Sequence, residues 1–341
     1  MTDSAPTVVV DGETATVAPA FTVGVPASAD ERDLAATLES VWQSAARMDR
    51  PFEIVVAVNG PDEPSPAVVG VEAFAAVAAR APVVRVLRLT VRSKVAAWNA
   101  IRDAARAPVL VFTDADVRLA PDAIPRLLAR LDAEPGAAAV GGQEVPVVTA
   151  DDGLAAKVAA LPFRFRFGNL PGPLYALRRA AAEPIPAHVL AEDSYLTVRV
   201  GRARIVRERG ALVYFRPPAT WRDYLRSRVR NEASKLQLTR DFPRLLAAGG
   251  LSPYPWGEFL RGIRPREYAL VVCLVVARLV ARLRARHEFR TGFRAGWTAL
   301  RSTKEWPAGA AAVTGAERRP GGAADERALP APSVRPERGI P

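Results

Sequence analysis

Short apolar runs rich in valine alternate along residues 21–145 with longer segments that repeat apolar side chains at helical spacing. Runs of this length suit buried strands, and strands that alternate with helical segments are typical of βα units. The pattern therefore predicts an α/β fold whose mainly parallel sheet is flanked by helices. The predicted strands span residues 21–25, 53–58, 83–89, 109–113 and 137–145.

A helix is predicted directly after the first of these strands. Ser28 and Glu31 have the spacing of a capping box, which places the helix start at Ser28. From Leu34 to Ala45 the apolar residues then recur on one helical face. We expect that face to pack on the sheet.

The chain divides by composition into four regions. Residues 1–19 have little periodicity and are expected to be a leader or peripheral segment, and residues 20–220 form the α/β body. Residues 221–306 are predicted to be a basic helical appendage. Residues 307–341 are mostly Ala, Pro, Gly, Arg and Glu, and they contain too few large apolar side chains to offset the entropy cost of ordering. We expect a disordered tail there.

The composition excludes several classes of protein. With 49% apolar and 24% charged residues among 341, the chain is neither wholly disordered, collagenous nor a multi-span membrane protein. The single Cys273 excludes intramolecular disulfides and multi-cysteine zinc sites, and two histidines argue against a His-rich metal centre. No positively charged start followed by an apolar stretch opens the chain, so we expect a cytoplasmic protein.

Most of the net charge of +11 lies in one region. Between Arg222 and Lys304 there are 18 Lys and Arg residues against six Asp and Glu residues, a local excess of +12. Two interpretations remain open: the guanidinium groups are simply solvated, or they meet an anionic partner such as lipid head groups or nucleic acid.

Two carboxylates follow the strand at 109–113 directly. Side chains two residues apart in extended backbone point to the same side, so Asp114 and Asp116 can reach one ion. Carboxylate oxygens suit a hard cation such as Mg²⁺ or Mn²⁺, and the carboxyl end of a strand is where open α/β sheets bind ligands. By itself, Asp-x-Asp also suits a simple turn.

Three further segments decide between these interpretations through a family resemblance. With the Asp-x-Asp segment there are four, and they occur along the chain in this order: Phe21-Thr-Val-Gly-Val-Pro26; the segment from Ser93 to Ala100, which holds Lys94 and Asn99; Thr113-Asp-Ala-Asp116; and Ala191-Glu-Asp-Ser-Tyr-Leu196. Together they resemble the family 2 glycosyltransferases, which are inverting nucleotide-sugar enzymes with the GT-A fold. The resemblance covers about residues 20–235 and implies a Rossmann-like mixed sheet.

The resemblance also implies roles for individual residues. Asp116 would be the direct metal ligand, and Asp114 would contact ribose or a metal-bound water. Asp193 would act as the catalytic base, with Glu192 orienting the loop or binding acceptor. A positioned carboxylate is what the acceptor hydroxyl needs in order to lose its proton.

Three other residues are candidates for contact with the donor or the acceptor. Lys94 lies at a predicted helix start capped by Ser93. The helix dipole disfavours a cationic side chain there and favours an anionic ligand, so we expect Lys94 to contact a diphosphate or a sugar. The resemblance adds Asn99 as a donor-binding residue. Gly172 resembles the glycine before the strand that lines the acceptor side, although a plain turn fits the residues equally well.

Two departures from the family pattern bear on substrate and product. Asn59 stands where the family often has an acidic pair. Its amide carries both a donor and an acceptor and can still bind the edge of a nucleotide base, but the identity of that base is left open. Arg230, in Ser227-Arg-Val-Arg230-Asn231, is the nearest match to the Gln-x-x-Arg-Trp of processive members, without its Gln and Trp. Arg230 could contact the diphosphate, and we expect transfer of a single sugar.

The helical appendage contains an apolar run that is too short to span a bilayer. Residues 268–277 form this run, whereas a span needs roughly 20 residues. Arg278, Arg282 and Arg286 recur at four-residue spacing, and Phe289, Phe293, Trp297 and Leu300 form a second predicted stripe. Apolar faces flanked by Arg favour a helix lying on an anionic membrane surface, and packing on the α/β body is the alternative.

The sequence thus predicts a metal-dependent, inverting transfer of one sugar from a nucleotide-diphosphate sugar to an acceptor hydroxyl. The cofactor would be Mg²⁺ or Mn²⁺, and the acceptor a glycan, a lipid-linked compound or a small molecule. We expect no nucleic acid partner and a position at the inner face of the cell membrane. The alternatives are a non-catalytic basic module that binds lipid or nucleic acid, and a sugar nucleotidyltransferase, for which no Gly-rich, Arg-containing loop is present.

Overall fold

The computed structural model describes residues 9–11, 17–60, 65–77, 83–164, 169–251, 256–291, 301–304 and 306. Within these residues nine strands form one mixed sheet. They are β1 Val9–Asp11, β2 Phe21–Ser28, β3 Phe52–Asn59, β4 Val84–Leu89, β5 Val109–Thr113, β6 Val117–Leu119, β7 Ala139–Pro146, β8 Leu174–Arg178 and β9 Ile205–Phe215.

Helices flank the sheet and extend beyond it toward the C-terminus. The described helices are α1 Leu34–Ala45, α2 Pro66–Ala75, α3 Lys94–Ala104, α4 Ala123–Ala133, α5 Leu154–Ala160, α6 Glu192–Val200, α7 Trp221–Asp241, α8 Pro243–Gly249, α9 Trp256–Gly262 and α10 Tyr268–Arg290. The α/β class predicted from the hydrophobic pattern is confirmed.

The strand order is β1-β4-β3-β2-β5-β8-β7-β9-β6. Strands β4, β3, β2 and β5 run parallel, and each of the five predicted strands is present to within three residues. Strand β8 is antiparallel to both β5 and β7, which makes the sheet mixed. The parallel block brings the carboxyl ends of β2, β3 and β5 to one edge, where open α/β sheets bind ligands.

The predicted capping box is wrong. Ser28 is the last residue of β2 and pairs with Asn59 of β3, so its backbone belongs to the sheet and cannot start a helix. Helix α1 begins at Leu34 after Asp33, which makes no side-chain cap bond. The predicted packing face is correct, since Leu34, Leu38, Val41 and Ala45 are buried against the sheet.

Helix α3 lies close to β2 on the other face of the sheet. A Cβ atom at Gly24 would be 2.6 Å from Ile101 Cγ2, so only glycine permits this approach. The aromatic rings of Trp98, Phe112 and Tyr175 stack in the same layer, and Trp98 Nε1 donates to the Tyr175 hydroxyl at 2.8 Å. This packing fixes the position of the α3 N-terminus at the sheet edge.

The helices that follow residue 220 share hydrophobic clusters with the α/β body. Tyr224, Phe259, Leu274 and Ala277 pack with Val158 of α5. Further along α10, Ala281 and Ala285 pack with α7 residues. One face of α10 therefore packs on the protein, which is the alternative that the sequence left open.

Among the described helices, none combines the length and apolar character needed to cross a membrane. The predicted tail at 307–341 lies outside the described residues, as do Phe293, Trp297 and Leu300 of the second predicted stripe.

Candidate active site

A cavity of about 1230 Å³ lies at the carboxyl edge of the parallel strands. The sheet edge, the N-termini of α3 and α6, and the facing sides of α7 and α10 form its walls. Seven of the predicted site residues line it: Lys94, Asp114, Asp116, Gly172, Glu192, Asp193 and Arg230. The tertiary structure therefore gathers residues that are spread over 137 positions of sequence (94 to 230).

Asp114 and Asp116 follow β5 directly, in the turn between β5 and β6. Burial, together with the nearby carboxylates of Asp114 and Glu31, raises the pKa of Asp116 to about 7. Glu31 is almost fully buried beside them. This corner of the cavity thus concentrates negative charge, which a divalent cation would offset.

These residues fit a hard cation by their chemistry, since every donor is a carboxylate oxygen. Within the described ranges there is no cluster of three or more His, Cys, Asp or Glu that could enclose a metal by itself. A small divalent cation bound by one or two carboxylates takes its remaining oxygens from water and substrate phosphates. The arrangement therefore suits a site that phosphate oxygens complete.

Lys94 links the two halves of the predicted machinery. As predicted, Ser93 caps α3, and its Oγ accepts from the Ala96 amide at 3.2 Å. Lys94 Nζ lies 2.6 Å from Asp114 Oδ1 and 2.5 Å from Glu192 Oε1. Burial alone would lower the pKa of Lys94, but the two carboxylates outweigh it and hold that pKa well above its ordinary value.

Glu192 and Asp193 are the first residues of α6, and they have different electrostatic surroundings. Burial would raise the pKa of Glu192, but Lys94 outweighs this effect and lowers it. Burial and the Glu192 carboxylate raise the pKa of Asp193 to about 6. Two adjacent carboxyl groups with pKa values pushed apart are a common arrangement where one of them exchanges protons.

Gly172 approaches Asp193 closely. A Cβ atom at position 172 would lie 3.4 Å from Asp193 Oδ2. The absence of a side chain at residue 172 leaves the Asp193 carboxylate open toward the cavity on this side.

Two predicted donor-binding residues do not line the cavity. Asn99 uses both ends of its amide on one backbone position: Nδ2 donates to the Ile185 carbonyl at 2.8 Å, and Oδ1 accepts from the Ile185 amide at 2.9 Å. Asn59 is buried, and its Nδ2 donates to the Ala27 carbonyl at 2.7 Å. Its Oδ1 has no partner among the described residues, so contact with a base stays a prediction.

The sequence did not reveal several residues that surround the site. Lys304 Nζ lies 2.9 Å from Glu31 Oε2, and Thr303 Oγ1 lies 3.4 Å from Asp116 Oδ2. Nothing in the local sequence of residues 303–304 signals this contact.

Glu144 also lines the cavity, near the end of β7. Its pKa is raised to about 7 because its burial outweighs the attraction of Arg207, whose Nη2 lies 3.7 Å away. Its place near the end of an apolar strand could have identified Glu144 as a candidate site residue from the sequence.

Part of the chain matches a known protein family. Residues 22–172 match the model of glycosyl transferase family 2. A search of the curated proteins gave no match.

Solved structures similar to this chain include the mannosyltransferase PcManGT from Pyrobaculum calidifontis, in complex with GDP-Man and Mn²⁺. It is 21% identical, with a TM-score of 0.52 over 89% of this chain and 82% of that chain. The glucosyl-3-phosphoglycerate synthase from Mycobacterium tuberculosis is 18% identical, with a TM-score of 0.45 over 69% and 81% of the respective chains. S. aureus TarS is 15% identical, with a TM-score of 0.42 over 80% and 87%.

The sheet topology, the aligned fold and the family match agree with one another. The helical C-terminal part is present in addition to the GT-A-like sheet. The resemblance to the family 2 glycosyltransferases is thus confirmed over residues 22–172, the fold is GT-A-like, and the chain is a glycosyltransferase.

Proposed function

We propose that this glycosyltransferase moves one sugar from a nucleotide-diphosphate sugar to an acceptor hydroxyl with inversion of the anomeric centre. The observation that carries the proposal is the bridge at Lys94, which joins Asp114 of the strand-end pair to Glu192, the neighbour of Asp193. The nucleotide sugar and Mn²⁺ bound to PcManGT support the substrate class.

Asp116, with Asp114 beside it, would hold Mg²⁺ or Mn²⁺. When bound, this cation supplies positive charge to the leaving nucleoside diphosphate. Arg230 adds a further cation on the cavity wall; its charge helps to lower the pKa of Glu192 and opposes the rise in the pKa of Asp193. We assign Arg230 to the diphosphate on this basis.

Asp193 acts as the general base. The acceptor O–H gives its proton to the Asp193 carboxylate, the oxygen forms a bond to the anomeric carbon, and the bond from that carbon to the diphosphate oxygen breaks. The bonding electron pair leaves with the nucleoside diphosphate. One displacement from the face opposite the leaving group inverts the anomeric centre.

Lys94 and Glu192 position the site around that step. The salt bridge holds the α6 N-terminus against the Asp114 end of the cavity, which sets the direction of Asp193. Because the Glu192 carboxylate stays ionised beside Lys94, it disfavours a second negative charge on Asp193 and so makes that residue a stronger base.

We further propose that the protein lies on an anionic membrane surface. The side of α10 opposite its packed face presents an apolar stripe that we call the α10 stripe, and its members are between 55% and 62% exposed. The α10 stripe consists of Tyr268, Val272, Val276, Leu279 and Leu283.

The charges around the stripe favour lipid over a protein partner. Arg282 and Arg286 continue the same helical side toward the C-terminus and are exposed, whereas Arg278 turns toward the cavity. The three arginines that the spacing placed together are therefore divided between two surfaces. Apolar side chains next to exposed Arg suit an interfacial helix on anionic lipid.

A thermal-shift panel tests the catalytic proposal directly. The full chain is heated with each nucleoside diphosphate and nucleotide sugar, with and without Mn²⁺. We expect one nucleotide class to stabilise the protein only when Mn²⁺ is present. Product analysis should then show that the nucleoside diphosphate is released from the corresponding sugar donor. Release of pyrophosphate would instead identify a nucleotidyltransferase, and stabilisation by no nucleotide would contradict the proposal.

A further inference from the structure

The cavity wall opposite the sheet carries a group of arginines that the proposed donor chemistry does not require. Arg228 lies on α7 and Arg278 on α10, and both side chains line the cavity. Tyr224 lies between them: the Arg228 guanidinium is 6.0 Å from its ring, and Arg278 hydrogen-bonds to its hydroxyl. Two cations thus meet at one aromatic side chain.

The arrangement is electrostatically costly as it stands. Burial lowers the pKa of Arg228, and the neighbouring charges of Arg278 and Arg230 lower it further. Arg228 Nε is buried and has no hydrogen-bond partner in the described part of the chain. Its Nη2 lies 2.7 Å from the side-chain amide of Asn231, which is neutral.

A carboxylate offsets the repulsion at Arg228 only in part. Glu232 acts on Arg228, but its carboxylate already lies 2.7 Å from Lys235 Nζ. Guanidinium groups bind phosphate oxygens in a bidentate manner and do so best where water is partly excluded. A group with two negative charges would offset the repulsion and give Arg228 Nε a partner.

The position of this wall relative to Asp193 identifies which substrate would carry that group. Asp114 and Asp116 lie on the sheet side, where the proposed donor diphosphate binds, and Lys94 connects that side to Glu192. Arg230 lies close enough to influence Glu192, Asp193 and Arg228, so the arginine wall adjoins the base. The acceptor has to approach the base from the side that the donor leaves open.

Building on the proposed function, we propose that the acceptor carries a phosphate group, bound by Arg228 and Arg278, while its hydroxyl faces Asp193. The phosphate belongs either to a water-soluble phosphomonoester or to a lipid head group. The second source is consistent with α10, whose Arg278 lines the cavity while Val272 and Leu279 lie on its exposed stripe.

Equilibrium binding of inorganic phosphate to the full chain tests this proposal. We expect Arg228→Gln and Arg278→Gln to weaken phosphate binding by roughly 10-fold to 100-fold, the range for a lost charge-assisted hydrogen bond. Arg226→Gln and Arg284→Gln are matched controls, since both residues are exposed on the same helices, and they should leave phosphate binding unchanged. Arg228→Lys keeps the charge without the fork and should retain part of the affinity.

Binding of the nucleoside diphosphate with Mn²⁺ is measured on the same variants. Unchanged nucleotide binding together with lost phosphate binding supports an acceptor site. Nucleotide binding that falls in parallel would assign Arg228 and Arg278 to the donor and overturn the proposal. No nucleotide binding in the unmodified chain would instead overturn the proposed function, so the two failures are distinguishable.

Competition against inorganic phosphate identifies the source of the group. Glycerol 3-phosphate should compete if the acceptor is soluble, and the double variant Val272→Glu/Leu279→Glu should not affect this competition. If the acceptor is a lipid, phosphatidylcholine vesicles that contain phosphatidic acid should compete, and they should do so only when the α10 stripe is intact. Either result supports a phosphate-bearing acceptor, and competition by neither overturns it.

Discussion

Lys94 Nζ lies 2.5 Å from Glu192 Oε1, so the first residues of α3 and α6 form an ion pair across the candidate active site. The same ammonium neutralises Asp114. One lysine thus compensates two carboxylates that are mostly withdrawn from water, and its removal would leave both without their counter-ion.

Replacement of Lys94 by methionine should therefore destabilise the fold. We expect Lys94→Met to lower the free energy of unfolding by about 3 kcal/mol, the lower end for breaking a buried ion pair. Urea denaturation at neutral pH measures this change. Lys157→Met is the control, because Lys157 is exposed and should change little. In the double variant with Glu192→Gln, a loss of unfolding free energy smaller than the sum of the two single losses would assign the effect to the ion pair. Additive losses would contradict that assignment.

Replacement of Asp116 should remove the metal dependence of donor binding. Asp116→Asn keeps the side-chain shape but removes the charge that would hold the cation, so stabilisation by nucleotide with Mn²⁺ should disappear while the fold persists. Isothermal titration with and without Mn²⁺ measures the effect, and Asp151→Asn, at an exposed position, is the control. Undiminished donor affinity would exclude Asp116 from the metal site.

Replacement of Asp193 should reduce turnover without affecting the donor. Asp193→Asn cannot accept a proton, so turnover should fall roughly 10²–10⁴-fold, the usual contribution of a positioned base. Because the pKa of Asp193 is raised from 3.8 to about 6, its basic form is lost as the pH falls through about 6. Activity of the unmodified enzyme should decline below that pH, whereas an unshifted Asp would keep it down to about pH 4.

The residual activity of Asp193→Asn should lack this acidic limb. Asp132→Asn, at a half-exposed ion pair with Arg50, should keep both the rate and the pH profile of the unmodified enzyme. A near-normal rate in Asp193→Asn would place the base at another residue.

The close approach of α3 to β2 gives a stability prediction. The Cβ atom of Gly24→Ala would meet Ile101 Cγ2 at 2.6 Å and Phe112 Cε1 at 3.0 Å. Overpacking of this kind should cost about 1–3 kcal/mol in the free energy of unfolding. Gly136→Ala is the matched control, since an added Cβ atom there meets nothing within 4 Å. Equal stability of the two variants in urea would show that the core relaxes around residue 24.

Charges in the α10 stripe should release the protein from membranes. Val272→Glu/Leu279→Glu should abolish cosedimentation with anionic vesicles at low salt, because interfacial binding depends on buried apolar area as well as on charge. Salt alone should only weaken binding of the unmodified protein, since it screens the charge contribution. Val69→Glu places a charge at an exposed apolar residue of α2 and should have no effect.

Substitutions are preferable here to deletion of residues 267–306. Leu274 and Ala277 of α10 are part of a buried cluster, and Thr303 contacts Asp116, so a deletion would also disturb the fold and the site. An unmodified protein that ignores anionic vesicles at low salt would contradict the membrane proposal.

The sequence by itself determined the features that depend on neighbouring residues. Valine-rich runs located the strands of the parallel block, Ser93 marked the start of α3, and Asp114 and Asp116 were placed at the end of β5. Each of these follows from hydrophobic periodicity, a cap or a strand end, all of which act over a few residues. Ser28 shows the limit of such signals, because pairing with β3 extended the strand through a sequence that also resembles a cap.

The tertiary structure alone decided which of these residues meet. Thr303 reaches Asp116 across 187 positions, Lys304 neutralises Glu31, and Asn99 is committed to the Ile185 backbone instead of the cavity. Helical spacing placed Arg278 with Arg282 and Arg286, but packing of α10 on α7 turned only Arg278 toward the cavity. Periodicity defines the faces of a helix, whereas the partner of each face depends on how distant elements pack, and the local sequence carries no signal of that.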